Sequence, residues 1–516
     1  MLRRGLTWAL LAGACALAAP AAAQQTDSDG KVDTLQEALA QAYDSNPTML
    51  AARANLRATD ENVPISRASE LPSLTSQETY TEFLKQAQSS FISPLRSLGA
   101  NVSLTVPVYA GGANRNNVRA AETRVLSGRQ DLRGTESSVF SQIVAAYMDV
   151  IQNEALVGLN ANNVRVLEVN LQATSDRFQI GDLTRTDVAQ SESRLALARG
   201  DLRTSQANLI RAKENFVALV GSAPDNLQPP PPLPGLPKNV DQAVEVALGE
   251  NPDLASALQR AEASRYDVKV AGASRLPKVD LFATGGLTDY LGTLGSISAT
   301  PAQQLQTTAQ AGVRATIPLF QGGRPSAQQR QAQQRTAAAL ENVVLEERTL
   351  ISQVRTAYAS WQASNAIITS TQSAVSAAEL SLEGVRAEQT VGNRTILNIL
   401  DAQQDLLRAQ TQLVTARRNA YVAGFSLLAA MGRAEARDLG LEAYGPLYDP
   451  TQNYNRVKGI IWDWQRDPDP VAEARRTVDI PAQDANIPAD VGTAAATSTS
   501  TTTTTTTRVT RTGERG

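Results

Sequence analysis

Two periodicities alternate along this chain, and each occurs twice. An apolar stripe runs through Phe140, Ile143, Ala146, Tyr147, Val150, Val157, Val164 and Leu171. It recurs as Ile351, Val354, Ala357, Tyr358, Trp361, Ile368, Val375 and Leu382, at a constant offset of 211 residues. Positions 143, 150, 157, 164 and 171 are seven apart, the spacing that winds helices into a left-handed coiled coil. Ahead of each stripe the period falls to two. Val102, Leu104, Val106 and Val108 alternate with Asn101, Ser103, Thr105 and Pro107, and Val313, Ala315, Ile317 and Leu319 with Gly312, Arg314, Thr316 and Pro318. One apolar and one polar face is the pattern of a half-buried or lipid-facing strand. Partner strands are predicted at Pro72 to Phe83 and Pro277 to Tyr290, with Ser/Gly/Leu-rich loops near 84–97 and 291–307.

Punctuation supports the same division. Each strand pair ends at a glycine pair, Gly111-Gly112 and Gly322-Gly323, and a helix is predicted to follow; Pro325 sits in its first turn, where a helix accepts proline. These helices run to about Gln179 and Thr390, where Gly181 and Gly392 mark turns. A helix from Ala113 to Gln179 would span roughly 100 Å. Return helices are predicted at 183–221, with the heptad Val188, Leu195, Leu202, Leu209 and Phe216, and at 394–432, with Ile399, Leu406, Leu413 and Leu427. The proline run Pro229–Pro232, with Pro234 and Pro237, cannot be helical. Single helices are expected at 34–67 and 239–273. There Ala38, Ala42 and Asn46-Pro47 return as Ala243, Ala247 and Asn251-Pro252, at an offset of 205. The change of offset implies six residues inserted in an exposed loop of the second copy. The expected organisation is therefore repeat 1 at 34–222, a Pro-rich linker at 223–238 and repeat 2 at 239–432. A small element at 433–480, including Trp462 and Trp464, would pack outside the breaks, and a disordered Thr-rich tail would follow at 481–516.

Composition narrows the chemistry. The 516 residues contain no histidine and one cysteine, Cys15. Histidine-dependent nucleophilic sites and the usual zinc sites are excluded, no cofactor or metal is expected, and the chain does not read as an enzyme. Net charge is −3, and no basic patch with interleaved aromatics occurs, so nucleic acid is not an expected partner. Residues 1–23 read as a secretory signal: Arg3 and Arg4, an apolar run from Gly5 to Leu17, and Ala21–Ala23 as a cleavage site. A lipoprotein signal at Ala12-Gly13-Ala14-Cys15 is the second reading. No later stretch approaches the ~20 apolar residues of a membrane helix. Any membrane crossing must use β-strands in a closed barrel.

Four strands cannot close around an aqueous bore, whereas three chains would supply twelve. From about Thr34 to Gly440 the chain resembles the TolC family of outer-membrane efflux channels. The resemblance rests on the doubled Asn-Pro, on Pro107 to Gly112 and Pro318 to Gly323, and on the doubled turn at Gly181 and Gly392. It implies a mainly α fold with β: a homotrimer whose twelve-stranded barrel spans the outer membrane of a Gram-negative bacterium and continues as a periplasmic α-helical coiled-coil tunnel. The implied function is a passive exit duct for drugs or polypeptides, in a tripartite efflux pump or a type I secretion system. The tips at Gly181 and Gly392 would dock a periplasmic adaptor protein that links the duct to an inner-membrane pump.

The resemblance also assigns a gate to the stretch Val391–Asp401. Arg394 matches an arginine that bonds across to the first repeat, where Thr186 and Asp187 hold the partner positions. Asp401 matches one of two acidic rings. Asn398 stands where the other ring is expected and Gln389 where a tyrosine is expected, so a weaker gate and weaker cation selectivity are implied. A periplasmic adaptor or a structural coiled-coil protein of the envelope is the alternative reading. It leaves the alternating strands and the double-glycine junctions unexplained.

Overall fold

A computed structural model describes residues 32–85, 94–295 and 302–486. The expected leader and the tail beyond 486 lie outside the described residues. Three helices open the chain, α1 (Leu35–Ser45), α2 (Pro47–Asp60) and α3 (Asn62–Ala68), followed by strands β1 (Ser73–Glu82) and β2 (Arg96–Ala110). A long helix α4 (Ala113–Gln179) and its return α5 (Arg185–Val220) come next. The same order then runs again: α6 (Val240–Glu250), α7 (Pro252–Ala273), β3 (Lys278–Asp289), β4 (Leu305–Thr316), α8 (Arg324–Thr390) and α9 (Ile396–Ala430). A short helix α10 (Gln452–Val457) follows. Helices α4 and α8 are each 67 residues long. Among the described residues no helix is long and apolar enough to cross a membrane.

The two short helical arms are not continuous. Both break at the Asn-Pro doublet, because a residue before proline is pushed out of the α region and proline offers no N–H. Asn46 and Asn251 adopt extended backbone, and their side-chain oxygens cap the next helix, accepting from Thr48 and Met49 and from Asp253 and Leu254 respectively. The side-chain amides face the other way. Asn46 Nδ2 donates to the Leu219 carbonyl at the end of α5 (2.8 Å), and Asn251 Nδ2 to the Ala430 carbonyl at the end of α9 (3.0 Å). Each doublet thus starts one helix and ties it to the end of a return helix. This explains why the pair occurs twice and corrects the expectation of unbroken helices at 34–67 and 239–273.

The main core lies where these breaks meet α4. Phe140, Ile143, Val144, Tyr147 and Val150 of α4 pack on Leu35, Leu39 and Met49, and on Leu209, Phe216 and Val220 of α5. The Tyr147 hydroxyl donates to the Gln228 carbonyl (2.6 Å), fastening the proline-rich segment to α4. Residues 434–448 close the same core, with Ala434, Ala436 and Leu441 buried in it and the Tyr448 N–H donating to the Tyr43 hydroxyl. The tail expected from Pro481 is held for its first six residues. Gln483 N–H donates to Glu214 of α5 (2.9 Å), and Ala485 packs against the core. The second copy's strand ends at Thr316, so the alternation read through to Leu319 overshoots it. Leu319 and Phe320, 93% and 89% exposed, lie beyond the sheet in a non-strand segment.

Candidate functional site

Strand order is β1-β2-β3-β4, all antiparallel, with β1 and β4 as open edges. Directly paired residues share a face, so the register sorts the sheet. Leu74, Leu104, Ala283 and Ala311 form one row, flanked by Ser76, Val102, Gly285 and Ala309 and by Val106, Leu281 and Val313. The opposite face carries Thr75, Ser103, Thr284 and Gln310, then Gln77, Asn101, Gly286 and Thr308. One side can meet hydrocarbon and the other water. Near the helices β2 bulges between Pro107 and Tyr109, where the missing proline N–H interrupts the ladder. Both junctions then turn on left-handed glycines, Gly111-Gly112 and Gly322-Gly323, the latter four residues after Pro318.

The far ends of the long helices are built alike. Gly181 and Gly392 take φ of +82° and +84°. The N–H of the next residue reaches back to the helix, from Asp182 to Arg177 (2.9 Å) and from Asn393 to Glu388 (3.0 Å). Thr184 and Thr395 then cap α5 and α9 through capping boxes whose third residues are Asp187 and Asn398. Two positions read as gate or selectivity residues thus also hold helix starts. Asp187 Oδ2 accepts from the Thr184 hydroxyl (2.7 Å) and backbone (2.9 Å), and these bonds lower its pKa. Asn398 Oδ1 accepts from the Thr395 hydroxyl at 3.0 Å.

Within one chain the expected bond from Arg394 to Thr186 or Asp187 does not form. Arg394 Nε donates to Glu388 at 2.6 Å, across its own turn. Thr186 is exposed in the first turn of α5, and Gln389 is half-buried with its carbonyl accepting from Gly392 N–H. The first tip has a matching clamp with the charges exchanged: Arg177 at the helix end pairs with Asp182 in the turn (2.6 Å). Asp401 is paired too. Arg194 of α5 donates to it at 2.8 Å, linking the two return helices beside a small core of Val164, Leu167, Leu195, Ala198 and Leu400. Arg194 and Glu388 carry no mark in the sequence, since neither belongs to a spaced motif and only the fold brings them to their partners.

Cover is unequal along the two long helices. Helix α4 buries 22 residues, whereas α8 buries only Leu350, Val354, Val375 and Leu382. Leu345, Ile367 and Leu380 of α8 are 61%, 51% and 70% exposed. Among the described residues no His/Cys/Asp/Glu group could hold a metal ion.

Comparison with known proteins agrees with this geometry. The sequence profile of the family described as Outer membrane efflux protein matches residues 38–222 and 243–433. The chain is 34% identical over 438 residues to the outer membrane efflux protein BepC of Brucella suis biovar 1, across 85% of this chain and 93% of that one. It is 24% identical over 424 residues to the outer membrane protein TolC of Escherichia coli (strain K12), across 79% and 84%. The solved Campylobacter jejuni CmeC outer membrane channel shares the fold at a TM-score of 0.68, over 82% of this chain and 89% of that one, at 16% identity. The chain belongs to the outer membrane efflux protein family, whose members are channels of the Gram-negative outer membrane.

Proposed function

We propose that this chain is one third of a passive exit duct, which carries drugs or polypeptides across the outer membrane as part of a tripartite pump or a type I secretion system. The carrying observation is the four-stranded sheet with one apolar face, one polar face and two open edges. In lipid each unpaired backbone group costs several kcal/mol, so the edges must be satisfied. Because β1 and β4 run in opposite directions, β4 of one copy can pair antiparallel with β1 of the next. Three copies give twelve strands, and the sparsely covered α8 would find its missing neighbours in the same assembly. An adaptor or a plain coiled coil has no use for such a sheet. The tips at Gly181 and Gly392 are the surfaces offered to a periplasmic adaptor and, through it, an inner-membrane pump.

Single-channel recording from purified protein in planar bilayers, with its mass measured in detergent, tests the reading. Long-lived cation-preferring steps from a trimer are expected; a soluble monomer without channel activity would refute it. Three Asp401 carboxylates near the threefold axis would supply the cation preference, weakened by the Arg194 guanidinium that each holds at 2.8 Å.

The gate has its own test. Arg394→Ser is expected to raise conductance several-fold, and unchanged conductance would remove Arg394 from the gate. Asp187→Asn and Glu388→Gln identify its working partner. An increase with Asp187→Asn means that Arg394 crosses to the first repeat in the trimer. An increase with Glu388→Gln alone means that the clamp seen within the chain does the holding.

A further inference from the structure

The segment after the family match carries a loop that neither the core nor the proposed channel uses. Helix α10 runs beside α2 and α3 toward the sheet. Asn453 Nδ2 donates to Asp60 (2.8 Å), Tyr454 packs on Val63, Ala121 and Val125, and the Lys458 carbonyl accepts from Arg67 Nη1 (2.8 Å). Arg67 lies six residues before the first residue of β1. The chain then turns back: Arg456 grips both oxygens of Asp467 (2.8 Å each), residues 468–474 share a groove with α2 between Pro47 and Glu61, and residues 475–478 line the next one with Ser45, Asn46 and Pro47. Residues 459–466 are therefore a loop held at both feet, beside the end of α3 that leads into β1.

That apex reads Gly459-Ile460-Ile461-Trp462-Asp463-Trp464-Gln465-Arg466. Ile461, Trp462 and Trp464 are 73%, 69% and 85% exposed. By contrast Trp361, the other tryptophan outside the expected leader, packs edge-on against Tyr358 at 5.8 Å. Leaving two indoles and an isoleucine in water is unfavourable by roughly 1.5–3 kcal/mol per side chain if each could be fully buried. Tryptophan prefers the membrane–water boundary, where the ring meets acyl chains and the N–H meets headgroups.

The distances allow it. Leu74, in the apolar row of the sheet, is seven residues beyond Arg67, at most ~25 Å along the chain and less through the turn at 69–72. Four residues from Lys458 to Trp462 can reach roughly 13 Å. Lys458 and Arg466 flank the apex with cations that lipid phosphates could take over from Asn455 (2.7 Å) and Asp469 (3.0 Å), and Asp463 between the indoles opposes entry deeper than the headgroups.

We propose that residues 460–464 form a lipid-binding foot that sits in the headgroup region of the outer membrane's periplasmic leaflet, beside the barrel rather than within it. The proposal rests on the barrel reading of the sheet. Through contacts with phospholipid, the segment beyond residue 433 would fix the height and tilt of the helical tunnel against the bilayer.

Tryptophan quenching by brominated phospholipids tests it. Trp361→Phe protein, in which Trp462 and Trp464 carry the emission of the chain beyond the leader, is reconstituted into vesicles brominated at acyl carbons 6,7 or 11,12. Conductance is recorded on the same preparation. The expected result is emission cut to about half by the shallow bromines and clearly less by the deep ones. Trp361→Phe carrying Trp462→Ser and Trp464→Ser should keep its conductance and lose the quenchable signal. Conducting channels whose emission is the same with and without bromine would overturn the foot alone, placing the loop in water or against a neighbouring copy. Stronger quenching by the deep bromines would overturn headgroup placement. Failure of any protein to insert would overturn the foot together with the barrel reading.

Discussion

Gly432→Ala is expected to destabilise this protein by about 3 kcal/mol or more, while Gly221→Ala, its counterpart 211 residues earlier, costs about 1 kcal/mol. Both glycines end a return helix in the left-handed region, at φ of +77° and +84°, so the backbone penalty is shared. Their surroundings differ. A Cβ at Gly432 would stand 2.5 Å from the Glu250 carbonyl oxygen and 2.9 Å from the Asn251 Cα. The nearest atom at Gly221 is the Ser45 hydroxyl oxygen, 3.7 Å away. The obstructing backbone cannot easily move aside, because Asn251 caps α7 and bonds the Ala430 carbonyl, while Arg433 grips both oxygens of Glu250 at 2.7 and 2.9 Å. Denaturant unfolding followed by far-ultraviolet circular dichroism would rank the two variants. Equal losses would mean that the second break is as yielding as the first.

The same pair shows what the sequence can and cannot disclose. The glycines, the prolines and the period changes mark where elements begin and end, because each acts through its own backbone. So Gly181 and Gly392 announce turns, and α4 and α8 end where the apolar stripe and these glycines place them, at Gln179 and Thr390. The Asn-Pro doublets are visible as repeats, but apolar positions continue across them, so each break reads as one helix. Alternation also overruns the end of β4, since Ile317 and Leu319 keep the period without a ladder partner.

Site chemistry is legible only where it is local. Thr184-x-x-Asp187 and Thr395-x-x-Asn398 have capping-box spacing, a signal that could have assigned Asp187 and Asn398 a helix-start role from the sequence. The Arg394–Glu388 clamp needs the left-handed turn at Gly392, and the Arg194–Asp401 pair needs α5 and α9 side by side. Residues 207 positions apart carry no mutual signal in one sequence. The bare flank of α8 is different again: Ile368 and Val375 of its heptad pack on Ala409 and Leu413 of α9, whereas Leu345, Ile367 and Leu380 stay exposed beside that seam.

The second large effect concerns pH. Glu136 of α4 is 9% exposed, and its Oε1 accepts the Ala436 N–H, joining the long helix to the segment after α9. Burial is the chief cause that lifts its pKa to about 7; Glu435 adds to the shift, while the Ala436 bond, Arg53 and Arg133 oppose it. Since the folded value lies above the unfolded 4.5, the folded state holds a proton that the unfolded state releases. The contribution is complete below pH ~4.5 and is lost as pH rises through about 7, a fall of about 3 kcal/mol. Glu136→Gln keeps a carbonyl acceptor for Ala436 and carries no charge. Its unfolding midpoint should match that of the parent near pH 4.5 and exceed it increasingly toward pH 8. Glu136→Leu separates titration from hydrogen bonding: it leaves a buried N–H unsatisfied and, relative to Glu136→Gln, costs about 1–3 kcal/mol at every pH. Arg53 limits the gain in Glu136→Gln, because its guanidinium lies between the rings of Tyr43 and Tyr448, at 4.3 and 4.9 Å, with Nε and Nη2 lacking hydrogen-bond partners. Without the nearby carboxylate that cation relies chiefly on the two tyrosines. A Glu136→Gln variant that follows the parent's pH profile would therefore place the titration elsewhere, whereas a flattened profile would make this buried carboxyl the group through which alkaline pH loosens the junction of α4 with the segment after α9.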